Sequence, residues 1–152
     1  MILIKSRLRS FSIKIELFKK DVQKILDKLG YSDFDLGILL TTNKTIRRYN
    51  KEFRNKDKAT DVLSFPFYPD LKAEQIISAK TDAEKNLGDI IVSLERVEHD
   101  AKNFGIPFEK YLRRILVHGI CHLIGYTHDT EKNYYQMQKK ESELLDLINV
   151  YI

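Results

Sequence analysis

The chain has 152 residues, 43% of them hydrophobic and 32% charged, with a formal net charge of +4. That length and apolar content suit one domain over residues 1–152 with a core large enough to fold alone, and the three prolines, six glycines and lack of repeats leave no place for a linker or a solenoid. No stretch approaches the roughly 18 apolar residues of a membrane span, and the apolar part of MILIKSRLRSF is too short for a secretory leader, so the expectation is a cytoplasmic protein with no membrane partner.

In chain order, a first strand is expected near Ile2 to Leu8. Apolar residues then recur at Ile15, Phe18, Val22, Ile25 and Leu29 in steps of three and four, an amphipathic helix closed by Gly30. Leu36 to Leu40 reads as a short buried strand, after which Thr42 or Asn43 can cap a helix. That helix carries a basic stripe: Lys44, Arg47, Arg48, Lys51, Arg54, Lys56 and Lys58 stand against only Glu52 and Asp57, and the rest of the chain is about neutral. With Tyr49 and Phe53 interleaved, the stripe has the composition of a surface that tracks a phosphate backbone and stacks bases, or of a solvated helix face.

TDVLSFPF, residues 60–67, predicts a strand ending at Pro66, and residues 68–86 show no period and read as a long surface excursion. LGDIIVS, residues 87–93, predicts another strand, with Ser93 as the N-cap of a helix that stops at Gly105. From Phe108 the pattern is helical through Ile124 and, beyond Ile115, apolar nearly all round, as in a helix buried at the centre of a domain. A last helix places Tyr134, Met137, Leu144 and Ile148 on one face. Helices flanking strands without strict alternation predict an α+β domain, in which the central helix packs on a mixed sheet of about four strands.

The central helix ends in HGICHLIGYTH, residues 118–128, which holds three of the four histidines in the chain. Residues four apart share a helix face, so His118 and His122 can aim at one point. Gly125 can leave the helix with positive φ and bring His128 over the same face. Packing alone explains such a trio poorly, because each buried ring needs a polar partner. Three nitrogen ligands leave a fourth tetrahedral position for water, the arrangement of a catalytic zinc, which brings the pKa of that water to about 7. Three imidazoles also suit nickel, copper or iron. Cys121 points about 100° away from His122 around the helix and reads as a core thiol.

The spacing HxxxHxxGxxH is that of metzincin-type zinc proteases, which place a glutamate base directly after the first histidine. Here that position is Gly119. A zinc hydrolase of peptides is therefore the weaker reading.

HGICHLIGYTH resembles the HGxLHLxGYDH signature of the YbeY-type endoribonuclease, or rRNA maturation factor, family. NKTIRRYNKEFRNKDKATDVLSFPF, residues 43–67, is similar to that family's block with an arginine ahead of TDVLSFP, and LGDIIVS to its LGDI strand. The likeness runs from Asn43 to Leu145, with Met137 and Glu141 fitting the family's closing helix. Cys121 stands where leucine is usual, and Thr127 where aspartate is usual, with Asp129 available as a substitute.

The resemblance implies a metal-dependent, single-strand-specific endoribonuclease acting on ribosomal RNA, chiefly in maturation of the 3′ end of small-subunit rRNA, and in quality control of the ribosome. It implies one zinc ion on His118, His122 and His128, and an important arginine at Arg54. A planar fork of donors suits Arg54 to a phosphate whose charge is growing.

Asp61 and Ser64, polar in an apolar strand, either line the cleft or satisfy the strand end. Glu141 sits on an apolar stripe, where it either hydrogen-bonds the second nitrogen of a metal-bound histidine or forms an ion pair at the domain edge. His99 has no partner at metal spacing and is expected to be exposed. A ribosome-binding factor with a structural zinc is the remaining alternative; it requires a fourth ligand, for which Cys121 and Asp129 are the near candidates.

Overall fold

The computed structural model describes residues 1–6, 8, 11 and 13–151. Four strands, β1 (Ile2–Ser6), β2 (Asp35–Thr41), β3 (Val62–Pro66) and β4 (Asn86–Ser93), form one mixed sheet in the order β1-β2-β4-β3. The first three in that order are mutually parallel, and β3 runs antiparallel to β4. Five α-helices accompany them: α1 (Ile15–Leu29), α2 (Asn43–Arg54), α3 (Leu94–Phe104), α4 (Phe108–Leu123) and α5 (Glu131–Leu147). This is the α+β domain that the patterning predicts. The first strand stops at Ser6, short of Leu8, and position 7 lies outside the described residues.

Local chemistry sets the helix ends. Thr42 and Ser93 accept hydrogen bonds from the backbone N–H groups of Thr45 and Arg96, capping α2 and α3; each such cap contributes about 1 kcal/mol. Gly30 and Gly105 end α1 and α3 in the left-handed conformation.

The two faces of the sheet are covered unequally. Leu36, Ile38, Leu40, Ile90 and Val92 alternate along β2 and β4 and are buried in the main core, with residues of α1, α4 and α5. Among the described residues the opposite face carries only α2, whose Ile46 packs with Leu63 and Ile91 in a small separate cluster. On α4, Ile115, Leu116, Val117, Ile120, Cys121 and Leu123 are all buried, so the histidines rise from a scaffold fixed on most of its sides.

The segment between β3 and β4 differs from the surface excursion expected for it. It contains a 3-10 turn at Asp82–Glu84, and Ile77 is buried with its N–H donated to the Tyr31 hydroxyl. Leu71 and Ala73 pack on the main core. The pieces are too short and irregular to leave a period in the sequence, yet they form one wall of the site.

Candidate functional site

α4 ends where Gly125 turns the chain at φ +99°. A side chain there is blocked twice, by the backbone angle and by space, since a Cβ would lie 2.6 Å from the Leu71 carbonyl oxygen. The turn brings His128 back over the helix, and the potential ligand nitrogens of His118, His122 and His128 all lie within 4.8 Å of one another. Nε2 of His118 is 3.1 Å from Nε2 of His122. Two nitrogens on a tetrahedral zinc, each bonded at 2.0–2.1 Å, stand about 3.3 Å apart. The pair is therefore spaced as ligands of one ion.

The other ring nitrogens explain the orientation. His122 Nδ1 donates to the Tyr126 carbonyl at 2.9 Å, and His118 Nδ1 lies 3.4 Å from Glu141 Oε1. Both contacts favour the tautomer that leaves Nε2 unprotonated toward the cluster. Burial, then the neighbouring His118, pushes the His122 pKa down to about 4. The ring is thus neutral at physiological pH and needs to shed no proton to bind a cation. These residues fit a divalent metal with imidazole ligands.

Among the described residues no other His, Cys, Asp or Glu has ligating geometry with this trio. Cys121 is fully buried and outside the cluster. Asp129 accepts hydrogen bonds from Thr127 and Asn133, both at 2.8 Å. These bonds hold its carboxyl below the usual range, and they tie the residue to the start of α5. Thr127 therefore anchors the turn through its neighbour.

A cavity of about 430 Å³ opens over the histidines, lined by Arg54, Asp61, Ser64, Tyr68, Tyr126 and Thr127 among others. Arg54 is exposed at the end of α2 and donates to the Ser64 carbonyl at 3.4 Å, which turns its guanidinium toward the cavity. Its placement depends on Asn50, which sequence reasoning did not single out. The buried Asn50 side chain donates to the Lys58 carbonyl, and the Asn50 backbone carbonyl accepts the Lys56 N–H, which closes the turn after α2. A lone asparagine in a basic stripe gives no sign of this.

The polar pair on β3 divides. Ser64 is buried and donates to the Gly119 carbonyl at 3.3 Å, tying the sheet to α4 while forming part of the cavity wall. Asp61 accepts from the Val62 N–H at 2.7 Å, satisfying the strand start, and also lines the cavity. His99 is exposed on α3, with Asn103 as its neighbour.

The basic stripe is exposed, but its aromatic rings turn elsewhere. Tyr49 and Phe53 stack on each other, Phe53 meets Phe65 edge-on, and all three line a groove on the sheet face opposite the histidines. Arg47 is engaged with Asp57 at 2.8 Å. Tyr134, expected on the packed face of α5 with Met137 and Leu144, is instead exposed. It lies at the start of α5, beyond the stretch where that helix packs on the core.

The sequence profile of the family described as Endoribonuclease YbeY matches residues 3–149. A human protein named Endoribonuclease YbeY is 35% identical over 145 residues, covering 95% of this chain and 86% of its own. One of the same name from Sulfurihydrogenibium is 40% identical over 131 residues, covering 86% and 80%. The solution structure of a Thermotoga maritima protein superposes with a TM-score of 0.64 at 27% identity, covering 97% of this chain and 89% of that one. A histidine trio at the end of a buried helix, an arginine lining the same cavity and a match along nearly the whole length agree: the chain belongs to the YbeY endoribonuclease family.

Proposed function

We propose that this protein is a metal-dependent endoribonuclease that cuts single-stranded RNA during ribosomal RNA maturation, with one zinc ion held by His118, His122 and His128. Its substrate is the 3′ end of small-subunit rRNA, in the cytoplasm, where it also serves ribosome quality control. The observation that carries this reading is the convergence of three imidazoles in a cavity that Arg54 also lines, in a chain of this family.

A divalent ion in this position supplies positive charge to a phosphate oxygen and lowers the pKa of a water molecule. The chain's own residues do the rest. Arg54 offers a planar set of donors to the phosphate oxygens as their charge grows. Glu141 and the Tyr126 carbonyl hold the two helical imidazoles in register, so the cluster does not reorganise when substrate arrives. Asp61 borders the cavity as a carboxylate beside the histidines. The other stripe cations are outside the cavity lining and position the RNA backbone.

Two alternatives lose their footing on geometry. A peptidase of the same spacing needs a glutamate at position 119, but a Cβ on Gly119 would lie 3.1 Å from Ile90 and 3.3 Å from the Ser64 hydroxyl. That direction faces the sheet. A structural zinc needs a fourth ligand, and neither Cys121 nor Asp129 is placed to serve.

The test is cleavage of a labelled RNA carrying the 3′ end of small-subunit rRNA, as a free strand and annealed to its complement. Cleavage confined to the free strand is expected. Equal cutting of strand and duplex would overturn the single-strand reading, and no cutting of either would overturn the nuclease.

A further inference from the structure

A second cavity, of about 510 Å³, lies on the other side of His118 and shares Asp61 and His118 with the first. The C-terminus of α3, with α4 and α5, forms its walls: Phe104, Ile106, Tyr111, Arg114, Tyr134 and Gln138 line it. The histidine cluster therefore stands at the junction of two lobes of one cleft. Only the lobe with Arg54 belongs to the site described above.

The chemistry of the second lobe is that of a base-binding pocket. Phe104 and Tyr134 are 63% and 49% exposed, large rings left open to solvent where a packed core would have buried them. Tyr111 is buried at the lobe, its ring 5.8 Å from that of Phe104. Arg114 is exposed and forms no ion pair among the described residues. The acids of the lobe, Asp61 and Glu141, sit on the histidine side, where Glu141 faces His118. Glu141, which lines this lobe and not the first, disfavours a phosphate deep inside it. An uncharged base meets no such penalty, and Arg114 remains free to take the phosphate that follows it.

Resting on the nuclease reading, we propose that this lobe is a nucleotide subsite in which Phe104 and Tyr134 hold one unpaired base beside the scissile phosphate while Arg114 takes the adjacent phosphate. Stacking on aromatic rings is indifferent to which base is present, because every base has a π-face. It does demand that the base leave its partner, since in a duplex both faces are stacked and the edges are paired. The lobe thereby gives the enzyme its preference for single strands without reading a sequence.

The test uses an unstructured labelled oligoribonucleotide in which one abasic nucleotide is moved along the strand, with kcat/KM measured for the wild type and for a Phe104→Ala, Tyr134→Ala double variant. Both rings are solvent-exposed, so the truncations leave the fold intact. For the wild type, one abasic position next to the cut is expected to lower kcat/KM about ten-fold. The double variant is expected to cut the intact strand about ten-fold more slowly and to lose nothing further at that position. Arg114→Ala is expected to raise KM with little change in kcat. Wild-type cleavage with the same abasic profile in the variant would overturn the subsite and leave the nuclease standing. Failure of the wild type to cut any strand would remove the nuclease reading, and the subsite with it.

Discussion

Oε1 of Glu141 lies 3.4 Å from Nδ1 of His118, on the side of the ring turned away from the histidine cluster. The carboxylate comes from α5 and the ring from α4, so the packing of two helices sets the direction of one imidazole lone pair. Glu141→Ala is expected to weaken zinc binding about ten- to a hundred-fold, with Glu141→Gln losing less because its amide oxygen still accepts. Competition with a chromogenic chelator measures this; equal affinity in all three proteins would show that the contact does not orient the ring.

At Gly119 α4 lies close against the sheet. Gly119→Glu forces a side chain against Ile90 and Ser64 and is expected to cost about 1–3 kcal/mol, the usual penalty for overpacking a close-packed core. Urea denaturation of the two proteins reads the difference. Full stability together with new peptidase activity would mean that position 119 faces the metal after all.

Arg54 is expected to act on the reacting phosphate, beyond any general attraction for RNA. Arg54→Ala should lower kcat by about a hundred-fold or more, with a smaller change in KM, and Arg54→Lys should restore only part, because a single ammonium cannot reproduce the planar fork. A large rise in KM at unchanged kcat would reduce Arg54 to a positioning role.

Cys121 is predicted to be inert. Burial first, then the Glu141 carboxylate, pushes its thiol far above the usual range, so no thiolate forms at neutral pH. Iodoacetamide should label the protein only in denaturant, and Cys121→Ser should bind zinc as tightly as the wild type. Loss of zinc affinity in that variant would make the thiol a ligand.

Much of this site is visible in the residues alone, because its main parts are local. His118 and His122 share a face by helix periodicity, Gly125 marks the turn, and Thr42 and Ser93 cap the helices they precede. Those relations span a few residues and follow from backbone geometry. Of the relations that escaped, one is local but made by the backbone, and the others are tertiary. Tyr126 holds His122 through a backbone carbonyl, which leaves no mark on side-chain identity. Phe104 and Tyr134 come from different helices and meet at one lobe only because α3, α4 and α5 converge there. Glu141 was visible as a carboxylate on an apolar stripe, but which of its two readings applied depended on where α5 lay against α4. The loop after β3 failed for a further reason: its buried Ile77 and the crossing of Leu71 over Gly125 are single contacts without a period.

The central claim is that the histidine trio holds a metal that cuts RNA. The most direct measurement is cleavage of a labelled single-stranded RNA by purified protein before chelation, after chelation and after zinc is returned, with His122→Ala alongside. The account predicts cleavage that disappears with the metal, returns with zinc and is absent from His122→Ala under every condition. Equal cleavage by the wild type and His122→Ala, or cleavage indifferent to chelation, would contradict it.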